Sequence, residues 1–206
     1  MLPHRPARFL SVLAVVAACT VRADPGSREP VLRSGDIVFQ TSRSSQSVAI
    51  QRATGSPFSH VGLVEVGPDG AFVLEAVQPV SRTPWRSWRT RGVAGKVTVM
   101  RLPNLTAKQA GDVVSVARSF LGRPYDPAFG WDDETVYCSE LVVKAFERGA
   151  GVKLGRPQRL DSLQLDGLGA ALRGRFGSRV PGERMLITPA SIAADPTLTK
   201  IFPTGS

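Results

Sequence analysis

Beyond residue 23 this chain holds one cysteine and one histidine, Cys138 and His60. A thiol and an imidazole without competitors suit nucleophilic acyl chemistry, in which the thiolate attacks a carbonyl and the ring takes and returns the proton. The same count speaks against a structural zinc, which draws on Cys and His several times over, so neither a metal nor a cofactor is expected.

The elements around the two residues supply a third group. Ser59 to Val66 and Ala71 to Val77 are β-rich runs joined by Gly67-Pro68-Asp69-Gly70, a hairpin signal. If that segment is the turn, Val66 faces Ala71, His60 lies opposite Val77, and Glu75 is one diagonal step away. Strand alternation puts His60, Gly62, Val64, Glu75 and Val77 on one face and Glu65 on the other. A carboxylate in that apolar stripe needs a partner to offset its desolvation, and an imidazole N–H is one. Glu75 at the sheet rim, in water, is the alternative.

Cys138 is expected near the start of a helix over Tyr137 to Gly149, because Leu141, Val142, Ala145 and Gly149 follow it on the same face. Asp132 to Thr135 offer cap-like residues before it. The helix dipole and free N–H groups there favour a thiolate, and the same groups suit an acyl-transfer oxyanion. A small buried hydrophobe is the plain alternative for such a cysteine.

Other elements follow from pattern. Strands are expected at Asp36 to Gln40, Lys96 to Leu102 and Met185 to Thr188. Helices are expected at Ser45 to Thr54, Thr106 to Leu121 and Leu165 to Phe176, with a short one from Pro189. The class is α+β, an antiparallel sheet packed against helices.

The first segment, residues 1–23, has a basic start, a short apolar run and no acidic residue, and reads as an export signal. Cleavage before Cys19 would give a lipoprotein with a membrane tether on Cys19; cleavage after Ala23 would give an untethered protein. Residues 24–34 then form a leader and 35–206 one domain, placed in the periplasm or cell envelope. Loss of Arg5, Arg8 and Arg22 takes the net charge from +9 to +6, because 9 − 3 = 6. The basic residues are scattered rather than blocked, so nucleic acid is not expected as a partner. Trp85 and Trp88, set among Arg82, Arg86, Arg89 and Arg91, suit either an anionic membrane or polymer surface or a buried Trp pair under a solvated Arg face, and the second is the expectation.

Gly35-Asp36-Ile37-Val38-Phe39, Ser59-His60-Val61-Gly62, Glu75-Ala76-Val77-Gln78-Pro79, Gly122-Arg123-Pro124-Tyr125-Asp126 and Tyr137-Cys138-Ser139-Glu140-Leu141-Val142 together resemble the YiiX-type branch of the NlpC-like, papain-fold cysteine amidases. The resemblance runs from about Gly35 to Thr188. It implies a circularly permuted papain-like fold, with the His-bearing sheet ahead of the Cys-bearing helix. It also implies a Cys-His-Glu triad on Cys138, His60 and Glu75, and a Tyr125 that lines the site near the oxyanion. The expected activity is hydrolysis of an amide in a cell-wall peptide or an N-acyl amine or amino acid through a thioester. A thiol acyltransferase or lipid esterase is the first alternative and a non-catalytic binding lipoprotein the second. Oligomeric state is not legible.

Overall fold

The computed structural model describes residues 29–202. Cys19, the export segment and the first part of the leader, up to residue 28, lie outside the described residues, as do residues 203–206. In chain order the elements are β1 (Ile37–Gln40), α1 (Ser47–Thr54), β2 (His60–Gly67), β3 (Gly70–Glu75), β4 (Ser81–Pro84), α2 (Trp85–Arg91), β5 (Thr98–Arg101), α3 (Ala107–Arg118), α4 (Cys138–Ala150), β6 (Gln158–Arg159), α5 (Gly169–Phe176), β7 (Met185–Leu186), α6 (Pro189–Ala193) and β8 (Thr199–Phe202).

The main sheet runs β4-β3-β2-β1-β5-β8, with every pair antiparallel. It contains the hairpin of β2 and β3, whose register sets Val66 against Ala71 and Gly67 against Gly70. Alternation then divides the apolar residues between two faces. Ile37, Phe39, Val61, Leu63 and Leu74 pack with Val113 of α3 and Leu141, Val142 and Phe146 of α4. Val38, Val64, Val73 and Val99 pack on the other face with Trp85 and Trp88 of α2.

Three differences from the sequence expectations stand out, the first of them at a site residue. β3 stops at Glu75, so His60 pairs with Gln40 of β1 and not with Val77. α3 ends at Arg118; Phe120 is buried where the helical stripe called for Leu121, which is 41% exposed. The leader packs in part: Leu32 lies against the Trp-containing cluster, and Arg101 Nη2 donates to the Val31 carbonyl at 3.0 Å.

α3 and α4 approach closely because Gly149 has no side chain. A Cβ there would sit 2.5 Å from the Val113 nitrogen and 2.6 Å from its Cα, backbone atoms that cannot swing aside. Gly149→Ala is therefore expected to destabilise the protein by about 1–3 kcal/mol, as overpacking does. A lower urea midpoint at unchanged m-value checks this.

Candidate active site

Cys138 is the first residue of α4, so its sulfur and backbone N–H stand at the helix's positive end. The chain enters through Tyr137 in extended conformation. Tyr137 is anchored at both ends: its N–H donates to Glu140 Oε2 at 3.1 Å, and its hydroxyl accepts from the Ile187 N–H at 3.0 Å. The expected caps are not used. Asp132 instead accepts from the N–H groups of Glu134 and Thr135 within its own loop, and Asp133 pairs with Lys144 and Arg148. Glu140, buried beside Lys144 at 2.7 Å, has its pKa pushed up to about 7 by burial.

His60 opens β2, at the end of the sheet where the α4 N-terminus arrives. Its Nε2 lies 2.7 Å from Glu75 Oε2. Glu75 is wholly buried, and three more donors satisfy it: Trp88 Nε1 at 3.0 Å on Oε2, and Thr83 Oγ1 at 2.6 Å with Arg91 on Oε1. Burial works against this carboxylate, yet His60, Thr83 and Arg91 together hold it below the usual range. Gly62 makes room for the arrangement, since a Cβ on it would run into Val73 and approach Glu75 Cβ.

With Nε2 engaged by Glu75, Nδ1 is the ring atom left for the sulfur. Burial opposes the Cys138 thiolate, but a hydrogen bond from His60, its charge and the Val61 backbone N–H outweigh that and lower the thiol pKa. Burial likewise opposes the imidazolium, and the Cys138 and Glu75 partners outweigh it, raising the His60 pKa to about 9. The two shifts share one cause, since each group favours the charged form of the other. Such a pair does what acyl transfer asks of a nucleophile and its base.

Cys138 opens on a cavity of about 330 Å³ that Tyr125, Tyr137, Ser59 and Ile50 help to line. Tyr125 stays protonated, because burial and then the Cys138 charge raise its pKa. Its backbone N–H donates to Gln78 Oε1 at 2.6 Å, which ties the Glu75-to-Pro79 segment to the loop before α4.

Trp85 and Trp88 turn out to be packing residues, stacked with centroids 5.9 Å apart and both buried. α2 does more than pack. Trp88 and Arg91 hold the Glu75 carboxylate, a role the sequence reading did not assign to the cluster. A helical spacing that puts Trp88 and Arg91 at i and i+3 was the available signal. Among the described residues no group of three or more His, Cys, Asp or Glu is placed to hold a metal ion, and no helix is long and apolar enough to cross a membrane.

A His-bearing antiparallel sheet followed by a Cys-headed helix defines a permuted papain-like architecture. Residues 31–202 match the family of permuted papain-like amidase enzymes, YaeF/YiiX, C92, and the chain belongs to that family. It is 38% identical over 172 residues to the uncharacterized protein YiiX of Escherichia coli strain K12, covering 82% of this chain and 85% of that one. It also resembles a crystal structure described as metalloprotein yiiX from Escherichia coli O157:H7, with 37% identity and a TM-score of 0.82, covering 84% of this chain and 98% of the other. Both Glu75 oxygens are already taken by side-chain partners, which leaves neither free for a metal ion.

Proposed function

We propose that this protein is an exported cysteine amidase that hydrolyses its substrate through a thioester on Cys138, with His60 as base and acid and Glu75 as the group that orients the ring. The reading is supported by the His60–Glu75 pair at 2.7 Å and by Cys138 at a helix N-terminus beside a cavity, where thiol and imidazole each favour the other's charged form. Export, and a membrane tether if Cys19 is acylated, rest on residues 1–23.

The thiolate adds to the amide carbon, and the carbonyl electron pair moves to oxygen. The Cys138 backbone N–H and the Tyr125 hydroxyl are the donors nearest to hand for that oxyanion. Collapse breaks the C–N bond, and His60 hands its proton to the departing amine. Neutral His60 then takes a proton from water, hydroxide adds to the thioester, and the sulfur leaves as thiolate beside an imidazolium. The acid is released. The cavity walls are mostly apolar, which favours an N-acyl amine or amino acid over a cell-wall peptide.

Both charged partners are needed, so turnover should follow a bell in pH. Its acid limb falls below the ordinary thiol range, where the thiolate is protonated, and its alkaline limb lies near pH 9, where His60 loses the proton owed to the leaving amine. The test is product mass spectrometry on acyl-amide and peptide pools in heavy-oxygen water. A free acid carrying heavy oxygen supports a hydrolase; unlabelled acyl groups moved to an added alcohol or lipid acceptor would point instead to the acyltransferase. No acyl product from any pool, with Cys138 unreactive, would favour the binding module.

A further inference from the structure

The cavity beside Cys138 holds a charge that the fold does not use. Ile50, Leu163, Leu172, Phe176 and Ile187 form much of its wall, and Arg175, in the last turn of α5, is the one basic or acidic side chain among the described residues of the lining. Its Nη1 and Nη2 are both shut off from solvent and have no hydrogen-bond partner among the described residues. The guanidinium is held in place by stacking: Cζ lies 4.2 Å from the Phe129 ring centroid. Phe129 takes a left-handed φ of 54°, rare for a bulky residue, and packs edge-on against Tyr137, next to Cys138, at 5.1 Å. Burial and the Cys138 charge raise the Tyr125 pKa while the charge of Arg175 and its approach to the hydroxyl lower it, which puts guanidinium, phenol and sulfur in one neighbourhood, with the phenol as the polar neighbour of Arg175.

A guanidinium with no anionic partner in an apolar cavity costs stability, and the usual compensation is an anion on its fork of N–H groups. The described residues do not offer one. Asp126, the carboxylate that shares the Tyr125 environment, accepts from the N–H groups of Ala128 and Gly130 in its own loop. We propose that Arg175 is the anion-recognition group of this cavity, and that the substrate joins an apolar acyl chain to a carboxylate, as an N-acyl amino acid does. The inference rests on the amidase reading and narrows its substrate class. The α-carboxylate of such a molecule is one carbon from the amide nitrogen, so a guanidinium close to the nucleophile reads it while the acyl chain lies along the apolar walls. Arg175 is a positioning residue, acting on binding and leaving the chemical step to Cys138 and His60.

The test is calorimetric binding to the full chain carrying Cys138→Ala, which holds ligand without turnover. The probes are N-octanoylglycine and its neutral isostere N-octanoylglycinamide. The carboxylate is expected to bind at least about tenfold more tightly, as a charge-assisted bidentate contact provides. Arg175→Met should remove that preference and leave the carboxamide affinity unchanged, with Arg175→Lys in between. Arg175→Met should keep the thermal midpoint close to that of the wild type, because the lost stacking on Phe129 is offset by removing a charge that has no anionic partner among the described residues. Equal affinities, binding of neither probe, or a preference that survives Arg175→Met would each overturn the proposal. None of these outcomes touches the thiol chemistry, which turnover and alkylation of the wild-type protein report separately.

Discussion

Turnover is expected to fall on the order of 10²- to 10⁴-fold when His60 is replaced by Ala, with little change in the thermal midpoint of unfolding. The ring gives Cys138 its base and gives the leaving amine its acid, so the loss should appear in kcat more than in KM. Stability should hold because the Glu75 carboxylate keeps three donors when the imidazole goes: Trp88, Thr83 and Arg91. The ring itself is 12% exposed, so its removal opens no sealed void. Steady-state kinetics beside a thermal melt checks both halves. A variant that loses activity only because it unfolds would show the two readouts moving together.

Glu75 is the reverse case. Glu75→Ala is expected to cost about 3–5 kcal/mol, the range for removing one partner of a buried ionic cluster, and total stability is only about 5–15 kcal/mol. The substitution leaves the Trp88 indole N–H, the Thr83 hydroxyl, the Arg91 guanidinium and His60 facing an empty space. Arg91 is 47% exposed and can turn to water, but Trp88 is fully buried and cannot. Urea unfolding gives the number. Glu75→Gln separates the two roles of the residue: it fills the same volume and keeps one acceptor oxygen, so it should fold better than Glu75→Ala, yet it replaces the other oxygen with a donor group among donors. Activity should therefore drop by more than stability does.

Local chemistry made much of this legible. The Gly67-to-Gly70 turn fixes the β2–β3 register, and period-2 alternation then places His60 and Glu75 on one face; neither step needs distant information. The Cys138 helix was readable from the 3.6-residue stripe that follows it, and Thr106 caps α3 with Gln109 as its type suggests. What escaped were contacts made across long stretches of chain. β3 ends at Glu75, so the opposition of His60 and Val77 that the hairpin rule extrapolates does not form, and His60 pairs with β1 instead. The Glu75 cradle comes from β4 and α2, which a pattern read along one strand cannot see. The acidic run before α4 looked like a cap because its residue types are cap residues, but Lys144 and Arg148, further along α4, draw Asp133 away. The cavity is furthest from local reading. Its walls come from α1, the loop ahead of α5, α5 itself and the segment at β7, and only their assembly isolates Arg175.

The most direct test of the central claim is the rate of Cys138 alkylation by iodoacetamide as a function of pH, followed by peptide mass spectrometry at that residue in wild-type protein and in His60→Ala. The account predicts that wild-type Cys138 reacts well below the ordinary thiol range around 8.5, and that the inflection moves up toward that range when the imidazole is gone. An ordinary thiol profile in the wild type, left unmoved by His60→Ala, would contradict it.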